Sequence, residues 1–146
     1  MNIQFSPEEI ILVAIDVAKH RHEVLVEIPS GKRHRMTIRN CREDFEILAG
    51  RLREHDHPCR IGFEPTADYH RAISYFLQSQ GFEVCLLSSL AVARTREALH
   101  NSWDKNDPKD AQVIIHLMRN GVTTIYHDPV IHGHNDLQEL SNSHFQ

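Results

Sequence analysis

Asp16, Glu64, Asp107 and Asp110 are the residues of this sequence whose types and spacing could do chemistry. Asp16 interrupts the apolar run IILVAIDV (Ile10–Val17), where a bare carboxylate is costly unless it is paired, hydrogen-bonded or bound to a cation. Glu64 closes a second short apolar run, RIGFE. Asp107 and Asp110 lie three apart and open a segment whose Ala111, Ile114 and Met118 share one helical side, since positions three and four apart are neighbours on a helix. Four such acids could supply the oxygen ligands that hard divalent cations prefer. Two Mg²⁺ ions about 3.5–4 Å apart in a cluster of this kind stabilise the attacking and leaving oxygens of a phosphodiester displacement. Each acid also has an ordinary reading. Asp16 and Glu64 can face solvent at strand ends, Asp107 can cap a helix, and Asp110 can complement the helix dipole from the first turn. Spacing alone leaves both readings open.

The elements that would position these acids are readable in outline. Ile10–Val17 is rich in β-branched residues and nearly continuous, the pattern of a central strand buried on both faces. His22–Ile28 alternates, with Val24, Val26 and Ile28 on one face and Glu23 and Glu27 on the other. Pro29-Ser30-Gly31 then turns the chain into Arg33–Arg39, which predicts two antiparallel hairpin strands after the first. Asn40 with Glu43 matches a capping box, and Phe45, Leu48, Ala49 and Leu52 fall at helical spacing, so a helix is expected from Asn40 to about Arg53. Arg60–Glu64 predicts a further buried strand. Thr66 is expected to cap a helix with Tyr69, Ile73, Phe76 and Leu77 on its core stripe, closed by Gly81.

The strand Phe82–Leu87 follows, and helix then strand at this length resembles half of a parallel crossover. The expected fold class is therefore α/β: a mixed sheet, antiparallel hairpin strands first and parallel strands after, flanked by helices. Leu90–His100 reads as helix or ordered loop with a poor apolar stripe. Asp107-Pro108 predicts an N-cap with proline at the first helical position, and that helix should reach about Asn120 before Gly121. The segment Asp136–Gln146 has too few apolar positions for a second core.

Basic residues near the acids are candidates for contact with a phosphate backbone. Lys19 follows Asp16 closely, Arg94, Arg96 and Lys105 could extend a path, and Arg33, Arg35 and Arg39 form a denser basic strand. Ordinary solvated charges are the competing reading for each. His20 with His22 and His55 with His57 lack a cysteine pair at finger spacing, so zinc has little support. His70 stands near Glu64 and could tune a bound water. Trp103 could stack on a base or anchor a loop. Ser88 and Ser89 have no histidine and acid at a recognisable spacing, which gives serine hydrolase chemistry no support.

Composition bounds the answer. The 146 residues, 40% hydrophobic, suit one domain with one core. A formal net charge of −4 with a pI near 6.3 gives no whole-chain sign of a nucleic-acid binder, which is more often basic. Cys41, Cys59 and Cys85 form an odd, widely spaced set that fits reduced thiols rather than a disulfide framework. No apolar stretch approaches the roughly 20 residues of a membrane span, and a cytoplasmic protein without membrane partners is expected.

The segments VAIDVAKHRHEVLV, EPTADYH (Glu64–His70), GFEVCLL and KNDPKDA (Lys105–Ala111) resemble, in order and spacing, the N-terminal DEDD domain of the insertion-sequence transposase family that includes the Piv-type DNA invertases. The resemblance spans roughly Ile11–Met118. Pro65, Ala67 and Asn106 depart from the usual residues, and none removes a carboxylate. The resemblance implies a ribonuclease H-like fold similar to the RuvC resolvases, with Asp16, Glu64, Asp107 and Asp110 holding Mg²⁺, or Mn²⁺, for DNA strand cleavage and transfer. It further implies DNA as partner, in some members a structured guide RNA encoded by the element, and action as homo-oligomers. Family members carry a second, C-terminal domain with a nucleophilic serine. The expectation is a catalytic domain over residues 1–128 and, over 129–146, the start of a linker to such a domain, so that activity of this chain alone is doubtful. Two rivals stand beside it: half of an actin-like or sugar-kinase-type ATPase, although IDVAKH offers no glycine for a phosphate loop, and a non-catalytic nucleic-acid-binding fragment.

Overall fold

A computed structural model of the chain describes residues 9–102 and 110–125. Three strands come first, β1 (Ile11–Asp16), β2 (Arg21–Glu27) and β3 (Arg33–Arg39), followed by helix α1 (Arg42–Arg53). Strand β4 (Cys59–Phe63), helix α2 (Arg71–Ser79) and strand β5 (Glu83–Leu86) come next, then helices α3 (Ser89–Ser102) and α4 (Asp110–Arg119) and the short strand β6 (Thr124–Ile125). The six strands form one sheet in the order β3-β2-β1-β4-β5-β6. β1 pairs antiparallel with β2 and parallel with β4, β2 pairs antiparallel with β3, and β4 pairs parallel with β5. This is the expected mixed sheet. The antiparallel β6 beside β5 is an addition, too short at two residues to leave a periodic signal.

Helices cover both faces of the sheet, which explains why β1 reads as an almost unbroken apolar run. On one face Val13, Ile15, Ile61 and Phe63 pack with Phe45, Leu48 and Leu52 of α1 and Ile73 and Leu77 of α2. On the other, Ala14 and Leu25 pack with Leu87, Val92 of α3 and Ala111, Ile114 and Met118 of α4. Gly62 lets α4 approach β4 closely, because a Cβ there would lie 2.6 Å from the Met118 sulfur. Leaving a core of this packing a Leu→Ala hole short costs about 2–5 kcal/mol, so each face of β1 is firmly held.

Three local readings are corrected. The capping box does not form: α1 begins at Arg42 with Cys41 at its N-cap and no side-chain cap. Asn40 is used elsewhere, donating from Nδ2 to the Lys19 carbonyl at 3.1 Å, and its own N–H donates to the His20 carbonyl at 2.8 Å. Helix α2 begins at Arg71 rather than after Thr66, because residues 67–70 form a turn in which Ala67 has φ +48°, a left-handed conformation that a right-handed helix cannot contain. Tyr69 consequently sits in that turn and is only half-buried, not on a helical core stripe. The segment Leu90–His100, expected as helix or ordered loop, is helical within α3, where Val92 is fully buried. Gly81 follows α2 with φ +90° as expected. The Asp107-Pro108 cap and the tail from residue 126 lie outside the described residues.

Candidate active site

The sheet delivers the first two acids to one place. Asp16 ends β1, and the parallel register Ile15↔Phe63 sets Glu64, the residue just past β4, alongside it at the carboxyl ends of the two strands. Neighbouring strands run about 4.8 Å apart. Strand alternation puts Asp16 on the same face as Leu12 and Ala14, the face covered by α4. Asp110 is the first residue of α4, whose Ala111 and Ile114 lie in the core against that face.

The electrostatics agree with this convergence. The Asp16 carboxyl is pushed up to about 6, first by burial and then by the charges of Asp110, Glu64 and Glu23, with the Arg96 guanidinium opposing. Glu23 is a member of the cluster that sequence reasoning missed. It faces Asp16 directly in the β1–β2 register, and the Thr37 hydroxyl donates to its carboxylate at 2.9 Å. Alternation had marked only its face of the strand. Centring the hairpin turn between Lys19 and His20 was the missing signal.

Carboxylates on this half-buried face suit a hard divalent cation in donor chemistry and in excess negative charge. Among the described residues, however, no three ligating groups stand close enough together to enclose an ion. Arg96 of α3 donates from Nη2 to Asp110 Oδ1. Asp107 lies outside the described residues.

The remaining candidates separate by their partners. Lys19, Arg35 and Arg94 are exposed, whereas Arg33 donates to Glu27 at 2.9 Å and Arg39 grips Asp44 of α1 at 3.0 Å. Register with Glu27 and Leu25 puts Arg33 and Arg35 on the same sheet face as the acids. Lys105 and Trp103 lie outside the described residues. His70 stacks on Phe63 with ring centroids 5.2 Å apart, directly behind the Glu64 loop.

The turn after Asp16 is held by buried groups. His22 is fully buried, its Nδ1 accepts the Ala18 N–H at 3.1 Å, and its ring stacks on Phe45. Burial lowers its pKa, with an opposing contribution from Asn40. Together with the Asn40 bonds to Lys19 and His20, this fixes the backbone that leaves Asp16.

Two solved structures share the architecture. RuvC of Thermus thermophilus in complex with a Holliday junction substrate superposes with a TM-score of 0.51 at 13% identity, covering 80% of this chain and 99% of that one. A second Thermus thermophilus RuvC structure gives 0.52 at 12% identity with the same coverage. The fold is thus the ribonuclease H-like fold of RuvC. Among curated protein sequences, none matches this chain. A profile of the IS110-type DEDD transposases, described as Transposase, matches residues 13–146, and the chain belongs to that family.

Proposed function

We propose that this chain is the catalytic portion of a metal-dependent DNA transposase that acts in strand cleavage and transfer, with Asp16, Glu64, Asp107 and Asp110 as ligands for Mg²⁺ or Mn²⁺. The single observation that carries the reading is the placement of Asp16 and Glu64 side by side at the carboxyl ends of β1 and β4, with the charges of Asp110, Glu64 and Glu23 all acting on Asp16. Family membership supplies the reaction class. When bound, the cations would neutralise charge on the attacking and leaving oxygens of a phosphodiester.

The chain's own residues have separable tasks in this reading. β1 and β4 hold Asp16 and Glu64 in register, and α4, packed on the same sheet face, carries Asp110 at its first residue. Arg35, Lys19 and Arg94, exposed and near that face, contact backbone phosphates and give orientation without sequence choice, with Arg33, Arg39, Arg96 and Lys105 in support. The reading extends to DNA as partner, to a guide RNA encoded by the element, and to homo-oligomers. Residues 1–128 form the catalytic domain and 129–146 lead toward a C-terminal domain. Because the RuvC relative was captured on a Holliday junction, branched DNA is the first substrate to offer.

Calorimetric titration of Mg²⁺ and Mn²⁺ into the chain and into Asp16→Asn tests the site. Binding by the former and its loss in the variant are expected. Equal binding by both would overturn the assignment.

A further inference from the structure

We infer that Arg96 is a resident counter-ion of the carboxylate cluster, one that a divalent cation must displace from Asp110, so that helix α3 lowers the affinity of the site for metal. The inference rests on the metal-site reading above and adds a residue that competes with the metal rather than binding it.

Three observations carry it. First, the Arg96 guanidinium donates to Asp110 Oδ1, and among the described residues it is the cation that opposes the three neighbouring carboxylates at Asp16. Second, Asp110 opens α4 and is one of the charges acting on Asp16, so the ion pair ties α3 to the acidic group. Third, the pair can open. Both side chains are 38% exposed, and among the residues of α3 whose burial is described only Val92 is fully buried, so the guanidinium can swing into solvent without breaking the core. The identity of the residue matters as well. Arginine stays protonated at any working pH and offers a planar fork of donors matched to a carboxylate, so it cannot yield to the metal by losing its proton. It can yield only by moving.

Two consequences follow from charge alone. With Arg96 in place the approaching cation meets a positive group at the ligand it needs. Once displaced, the same guanidinium is a free cation at the mouth of the site, within reach of a polyanion whose arrival would hold it away from Asp110. Metal and phosphate backbone should therefore favour each other's binding through this side chain.

The test uses the full chain and Mn²⁺ followed by electron paramagnetic resonance, a readout independent of catalysis. Arg96→Gln should bind Mn²⁺ about two- to fivefold more tightly, the scale of one partly exposed ion pair. Arg96→Lys, which keeps the charge, should stay near the parent affinity, and Arg96→Gln combined with Asp110→Asn should lose the gain. Without metal, Arg96→Gln should melt at a lower temperature than the parent, and saturating Mg²⁺ should close the difference. Parent binding with an unchanged or weaker Arg96→Gln overturns the inference alone, as does a gain in Arg96→Lys equal to that in Arg96→Gln. Absence of Mn²⁺ binding by every protein overturns the site reading and this inference with it.

Discussion

The sheet face covered by α4 carries acids at both ends, and the two ends handle them in opposite ways. At the end near the β2–β3 turn, Glu27 is only 9% exposed and accepts hydrogen bonds from both Arg33 and Arg119, while Arg60 pairs with Glu83 on the neighbouring strands. Burial alone would raise the Glu27 carboxyl, but the hydrogen bonds from Arg119 and Arg33 more than reverse this and leave it below its ordinary value. At the other end burial acts in the same direction on Asp16, three carboxylates add to it, and among the described residues Arg96 is the opposing cation. One end is arranged for stability. The other keeps a charge imbalance, and perturbed acids of that kind gather at functional sites.

The sharpest way to break the comparison is to unbalance the quiet end. Arg119→Ala leaves buried Glu27 with one partner instead of two, and a loss of about 1–2 kcal/mol in chemical denaturation is expected, since Arg119 is itself half exposed and Arg33 remains. A loss under about 0.5 kcal/mol, the scale of a surface substitution, would mean the two ends do not differ as described. At the acid end the sign should invert. Asp16→Asn removes a repelled charge and should stabilise the metal-free protein by about 1 kcal/mol, after discounting its shift for the solvent that reaches the group. The same variant should show no thermal shift on adding Mg²⁺, so stability and ligand response move apart.

Backbone strain divides the two ends as well. The turn at the quiet end places Gly31 at φ +92°, where glycine suffers no penalty, whereas the loop behind Glu64 places Ala67 at φ +48°. Ala67→Gly should raise the melting midpoint, by about 0.5–1 kcal/mol in stability. A fall on substitution would show that the left-handed alanine is not strained. The smallest effect concerns pH. The pKa of His22 is lowered in the folded chain, chiefly by burial, so the fold prefers its neutral form. Stability from this residue is complete above the unfolded value of 6.5 and declines as pH falls below it, levelling off under the folded value. Urea midpoints measured from pH 7.5 to 5 should decline in the parent and decline less in His22→Phe. Parallel curves would remove His22 from the account.

How much of this was legible depends on how local the cause is. β1, the β2–β3 hairpin, β4 and the stripe of α1 follow from patterns contained within their own residues, and so did the strand-end positions of Asp16 and Glu64. The start of α2 was misplaced because Thr66 looks like a cap wherever a helix follows, while the left-handed Ala67 that delays the helix has no residue-type signal. Asn40 was misread for a related reason: its amide is satisfied by Lys19, a partner in another element. Glu23 and Glu27 were legible only as one side of a strand. That α4 covers that side, that Arg119 reaches back to Glu27, and that Arg96 meets Asp110 all depend on how helices dock, which no single segment records.

The outermost strand constrains how copies of this chain can meet. β3 presents Arg33, His34, Arg35 and Arg39 along an edge that has no strand beyond it among the described residues. Two such edges brought side by side would set like charges against each other, which disfavours joining the sheets of two molecules strand to strand and leaves the margin of the sheet open to something of the opposite sign.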